Sequence, residues 1–151
     1  MNQIYSEELF DTFPEIFDRR LLVGGIDCQD GWFVLLGEFG LQAQCLRQMT
    51  PSADFRVRAI FVEEGMLHIR HQAEAPFAGL VQQFQQRSKT LCELDGNPAV
   101  GLFACQPRWH RYLCRRCAEL HELMMVEKRW PMQYAAAVKE DGRVLALSAA
   151  A

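Results

Sequence analysis

CELDGNPAVGLFACQPRWHRYLCRRC, residues 92–117, holds four of the chain's six cysteines, and its reading decides the rest. Zinc takes four tetrahedral ligands drawn from thiolate, imidazole and carboxylate. A site of two knuckles spells them C-x2-C, a spacer, then C-x2-C. Here the second pair is intact at Cys114 and Cys117, whereas the first reads Cys92-x2-Asp95. Eighteen residues separate Asp95 from Cys114, a ribbon-type spacing. Asp95-Gly96 supplies the tight turn that lets the first pair converge. A carboxylate is a legitimate ligand but a harder and less common one than thiolate. Cys105, His110 and His121 are the nearby substitutes. The competing reading makes the cysteines small buried hydrophobes, the usual fate of free cysteine. Leu91, Leu94, Phe103 and Trp109 would then pack the corner in place of metal. On either reading the corner is structural, because four protein ligands leave no open position for substrate.

Around this corner the composition is that of one folded domain. A chain of 151 residues, half of them apolar and ten of them Phe, can bury one sizeable core. Residues 1–64 hold 11 acids and 5 bases, net −6, and residues 65–151 hold 8 acids and 11 bases, net +3. That split argues against a protein coated in basic charge for nucleic acid, though one local patch remains. The N-terminal MNQIYSEELFDTF lacks the basic start and apolar run of a signal peptide, and no stretch has the length of a membrane span. A cytoplasmic location follows as an expectation, with the cysteines as reduced thiols or metal ligands.

Upstream, Trp32, Leu35, Leu36, Phe39, Ala43 and Leu46 share one face of a helix over about residues 31–48, with Asp30 as its N-cap and Pro51 as its stop. Residues 6–20 predict two short helical pieces, the second with Pro14 in its first turn. Residues 21–26 read as a connection packed on the core. Residues 55–62, the turn Glu63-Glu64-Gly65 and MLHIRH predict a β-hairpin, with Phe55, Val57, Ala59 and Phe61 on one face and Arg56 and Arg58 on the other. Pro76 opens a helix carrying Phe77, Leu80, Val81 and Phe84. A further helix over about 114–129 carries Cys117, Leu120, His121 and Met124, and residues 133–148 predict a closing hairpin turning at Asp141-Gly142. The sum is one α+β domain over residues 1–151: a small antiparallel sheet packed by helices, a zinc-ribbon-like cysteine corner at 92–117, and a C-terminal hairpin and tail at 131–151.

Arg108, Trp109, Arg111, Tyr112, Arg115 and Arg116 interleave guanidinium groups with aromatic rings, a pattern that grips phosphates and stacks bases. The same cluster suits an acidic protein surface, or is a solvated face beside a buried Trp. His68 and His71 fall on opposite faces of their strand and cannot form a ligand pair. The sequence holds no P-loop, G-x-G-x-x-G or G-x-S-x-G, and nothing couples Cys28 or Cys45 to a base, so no catalytic residue is assigned.

With these residues in place, the chain resembles a family of small, mostly uncharacterised bacterial and prophage-associated proteins. Their pattern is a Gly-Trp helix opening, a charged β-hairpin around E-x-x-G-x-L-R-F, and a CE-x-CG…W…LC-x-x-C ending. The matching residues are Gly31-Trp32 with Leu35 and Leu36, then Glu63, Gly65 and Leu67, then Cys92-Glu93, Gly96, Trp109, Leu113-Cys114 and Cys117, in order over about residues 12–118. Asp95 stands where the family has cysteine, the Arg56/Arg58 strand replaces a Lys-rich one, and the tail beyond residue 130 has no counterpart. The resemblance implies a cytoplasmic, knuckle-containing fold and brings no catalytic residues. The functional expectation is a non-enzymatic protein-binding module of the inhibitor or toxin-immunity kind, its acidic half suited to a basic toxin. The alternative is a zinc-ribbon-like nucleic-acid binder that uses residues 108–116.

Overall fold

The computed structural model describes residues 1–51, 54–72, 75–106, 109–121 and 124–127. At its centre is helix α2, Phe33–Met49, entered through a single 3-10 turn at Asp30–Trp32. Trp32, Leu35, Leu36, Phe39 and Ala43 are all buried, and Leu46 packs at the edge of the same cluster, so the apolar stripe read from the sequence is the face that meets the core. The helix stops at Met49, with Thr50 and Pro51 following. Asp30 does not cap it. The Asp30 carboxylate accepts instead from the backbone N–H of Asn2 at 2.6 Å and from the Asn2 amide at 2.8 Å. That ties the start of α2 to the start of α1, Gln3–Thr12, whose own N-cap is Asn2 accepting from the Tyr5 N–H.

The second helical piece expected around Pro14 is absent: α1 ends at Thr12 and residues 14–16 form turns. These turns still bury Ile16 and Phe17, because a turn carrying two adjacent apolar residues can fill a core as well as a helix can. The 21–26 connection packs as expected through Leu22 and Ile26, both buried.

Strands β1, Arg56–Glu63, and β2, Met66–Gln72, make the predicted hairpin, paired antiparallel. Its faces differ from simple alternation. The register slips between Val57 and Ala59, leaving Arg58 as the extra residue of a β-bulge. The bulge reverses the pleat, so Phe55 and Val57 are buried but Ile60 then takes the inward place expected of Ala59 and Phe61. Phe61 stacks on His68 at 5.3 Å on the outer face, while His71 lies near Phe55. The two histidines are on opposite faces, as the strand period requires.

At the hairpin turn both Glu64 and Gly65 have positive φ. Gly65 carries a second constraint: a Cβ there would lie 2.7 Å from the Leu102 side chain, because the turn abuts the second sheet. The free edge of β2 is covered by α3, Phe77–Ser88, whose Ser88 Oγ and Gln85 Oε1 accept from the Leu67 and Ile69 N–H groups at 3.0 and 3.2 Å. A covered edge is closed to pairing with other chains.

The antiparallel sheet expected as one is two. The 92–117 spacer contains strands β3, Gly101–Gln106, and β4, Trp109–Leu113, and β3 also pairs with β5, Met124–Glu127, in the order β4-β3-β5. This corrects the long helix expected over 114–129. Only α4, Arg115–Leu120, is helical, and Met124–Glu127 pairs with the open edge of β3 instead. Strand pairing available at a sheet edge overrides a helical spacing that is only a weak local preference. The expected hairpin over 133–148 lies outside the described residues. These elements make a single α+β domain with two small antiparallel sheets.

Candidate metal centre

The knuckle is assembled by backbone before any side chain enters. Between Leu91 and the strand pair the chain doubles back: Cys92 N–H donates to Asn97 C=O at 2.7 Å, and Gly96 N–H donates to Cys92 C=O at 2.9 Å. Gly96 has a φ of 75°, which only a residue without Cβ adopts readily. The loop is pinned to the start of α2, where Gly31 N–H donates to Glu93 C=O at 2.9 Å and Trp32 Nε1–H donates to Leu91 C=O at 3.3 Å. Hairpin β3–β4 then brings Leu113 beside Val100, and Cys114 follows as the N-cap of α4, its Sγ accepting from Cys117 N–H at 3.4 Å.

Cys92, Asp95, Cys114 and Cys117 converge, each offering a ligand atom within 4.8 Å of the others. Asp95 Oδ2 lies 3.3 Å from both Cys114 Sγ and Cys117 Sγ. Oxygen and sulfur sharing one tetrahedral zinc stand about 3.5 Å apart, from bond lengths near 2.0 and 2.3 Å. Those two separations are close to that value, and the four residues could hold a metal ion. Cys105, His110 and His121 are not part of this group. Cys105 Sγ faces the Phe103 carbonyl at 3.9 Å instead.

Charge is opposed at two of the thiols and favoured at the carboxylate. Burial pushes the Cys92 thiol up, against the backbone N–H groups of Cys114, Asp95 and Leu94. Burial also pushes Cys117 up, aided by the Asp95 carboxylate and the other two thiols. Burial works against the Asp95 charge as well. Hydrogen bonds from Asn97 and from the Cys92 and Cys117 thiols outweigh it and hold that carboxyl well below the usual range. Thiols held protonated by burial and by a neighbouring carboxylate are groups from which a bound divalent cation displaces protons.

The three cysteines are buried, with Phe103, Leu113 and Ala118, in a small core of their own. Leu94 packs at its edge, but Leu91 belongs to the larger cluster. Trp109, expected to help fill the corner or to be buried beside the basic residues, is 49% exposed. It lies on β4 with the Arg111 guanidinium 5.0 Å from its ring centroid.

The sequence-derived basic patch is divided by the fold. Arg111 turns inward, its Nε 3.4 Å from an oxygen of Glu93, which is 1% exposed. Burial raises the Glu93 pKa and the Arg111 charge opposes the rise. Tyr112 is half-buried, its carbonyl accepting from Glu93 N–H at 3.1 Å. Arg115 and Arg116 are exposed on α4, and Arg108 lies outside the described residues. The Glu93–Arg111 pair was not legible in the sequence. Its members are joined only by the knuckle's return, and adjacency to Cys92 was the single hint.

No protein-family model, curated protein or solved structure matches the chain. Among the described residues, no helix is long and apolar enough to cross a membrane.

Proposed function

We propose that the chain is a non-enzymatic protein-binding domain whose cysteine corner holds one zinc ion. A set of three soft sulfur ligands with one carboxylate favours zinc over the oxygen-seeking cations. A reducing cytoplasm keeps those thiols available. The binding half of the reading rests on the outward face of α2. Val34, Leu41 and Met49 are 65%, 56% and 77% exposed, and at 3.6 residues per turn they fall within about a quarter-turn of helix. Exposed Cys45 lies between them on the same arc. Exposed apolar side chains along one arc of the central helix, shared with the Glu38–Arg87 ion pair, are a protein-interaction feature.

The net −6 of residues 1–64 suits a basic partner, and with it an inhibitor or toxin-immunity role. Part of that charge is answered in place, Glu7 and Asp11 by Arg19 and Glu15 by Arg47. Glu8, Glu63 and Glu64 remain exposed. A tagged chain containing about one zinc by elemental analysis should retain a stoichiometric protein partner from cells of its source. Val34→Glu with Leu41→Glu should lose that partner at unchanged melting temperature. Retention by the double variant would exclude the α2 face.

Half-exposed Trp109 favours a second reading, nucleic-acid binding that also uses the exposed Arg115 and Arg116 of α4. The two readings separate in mobility-shift assays at about 150 mM salt, where a net-negative protein lacks long-range attraction to phosphate. The protein-binding reading expects no shift. A salt-sensitive shift lost in Arg115→Gln with Arg116→Gln would replace it.

A further inference from the structure

We propose that the fourth position on the metal is exchangeable: Asp95 yields it to a thiolate from outside the chain. The proposal rests on the metal reading above and deepens it. Three observations meet at Asp95. The first is exposure, since it is the one exposed member of the four while the three cysteines are buried. The second is that its carboxylate has partners that do not depend on a metal. Asn97 donates its backbone N–H to Oδ1 at 3.1 Å and its side-chain amide to Oδ2 at 2.9 Å, so the released carboxylate keeps two donors. The third is an approach. A cleft of about 410 Å³ has Asp95, Gly96 and Asn97 in its lining, together with Glu38, Arg87 and Val34.

The direction of exchange follows from ligand softness. A metal held by three thiolates binds a fourth sulfur in preference to a hard carboxylate. In the step, the metal–oxygen bond to Asp95 breaks and a metal–sulfur bond forms. The incoming thiol loses its proton to solvent, and Asp95 leaves as the carboxylate. No oxidation state changes. The thiolate can come from a small-molecule thiol or from a partner's cysteine, and the chemistry is the same for both.

The test uses the full chain loaded anaerobically with Co(II) and titrated first with 2-mercaptoethanol. Going from three to four thiolates, sulfur-to-cobalt charge-transfer intensity should rise by about one-third. The rise should saturate with the metal still bound after gel filtration. Asp95→Cys should show the four-thiolate spectrum at the outset and ignore added thiol. Asp95→Ala should keep the metal and bind thiol about ten-fold more tightly, lacking the competing carboxylate. A parallel titration with a short cysteine-containing peptide separates the sources. Binding ten-fold tighter than mercaptoethanol assigns the position to a partner's cysteine, and equal binding assigns it to a free thiol.

If no cobalt spectrum develops, the metal reading fails and the exchange fails with it. If a three-thiolate spectrum develops and thiol leaves it unchanged or strips the metal, the metal reading stands and the exchange is overturned. A thiol response that persists in Asp95→Cys overturns it too, since the responding position is then elsewhere.

Discussion

Gly31 is the residue on which the two halves of the molecule close. A Cβ there would lie 2.4 Å from Cys92 O, 2.5 Å from Gly96 N and 2.6 Å from Glu93 O, all of them backbone atoms that no side-chain rotation can move away. Gly37 sits in the same helical region with nothing within 4 Å of the equivalent position. The two glycines therefore predict opposite signs. Gly31→Ala should destabilise by the cost of overpacking, about 1–3 kcal/mol. Gly37→Ala should stabilise by about 0.5–1 kcal/mol, because alanine restricts the unfolded chain and suits a helix interior. Paired thermal or urea denaturation checks both, and equal effects would mean that the knuckle does not close on α2 as described. Sequence could flag Gly31 only as the residue before Trp32. Its partners are some sixty positions away, and contact across such a separation leaves no local trace. The ligand set was different: Cys92, Asp95, Cys114 and Cys117 follow a spacing rule imposed by tetrahedral geometry, so their convergence could be read in advance.

At the scale of elements, legibility tracked how much of an element's fate is decided within it. The face of α2 is a 3.6-residue period repeated over four turns, and every inward position it named is buried or packed at the core's edge. Trp32 carries the most burial in that face, at 0% exposed, and its indole N–H also binds the knuckle through Leu91. Trp32→Ala should cost about 3–5 kcal/mol by urea denaturation, from lost transfer energy and the cavity left behind. A loss below about 1 kcal/mol would mean that the site collapses around the truncation or is not core. The hairpin was legible as an element but not in its faces, since the Arg58 bulge depends on the register against β2 rather than on β1's own composition. Strand β5 was misread for the same reason. MMVE becomes a strand because β3 offers it an edge, and that edge was made by a hairpin not visible inside the cysteine spacer.

Taken whole, the molecule has two cores of unequal strength. The larger joins α1, α2, the β1–β2 hairpin and α3, and contains all but one of the buried phenylalanines. Among the described residues the smaller has six that are buried, three of them cysteines that contribute little apolar area. A cluster that size cannot offset the entropy of ordering residues 92–118 by burial alone, so the metal should supply much of its stability. The seam between the cores includes a few backbone hydrogen bonds, among them Gly31 N–H to Glu93 O, and the packing of the Gly65 turn against Leu102. Removing metal should therefore open one core without the other. In hydrogen exchange with mass-spectrometric readout, a chelator should sharply reduce protection across residues 92–118 and leave residues 33–49 and 56–72 as they were. Cys114→Ser should reproduce that pattern without chelator. If protection falls everywhere together, the seam is stronger than its hydrogen bonds imply and the metal holds the entire fold. If protection does not change and elemental analysis shows no metal, the corner is kept by packing, with its cysteines serving as the small hydrophobes of the competing reading.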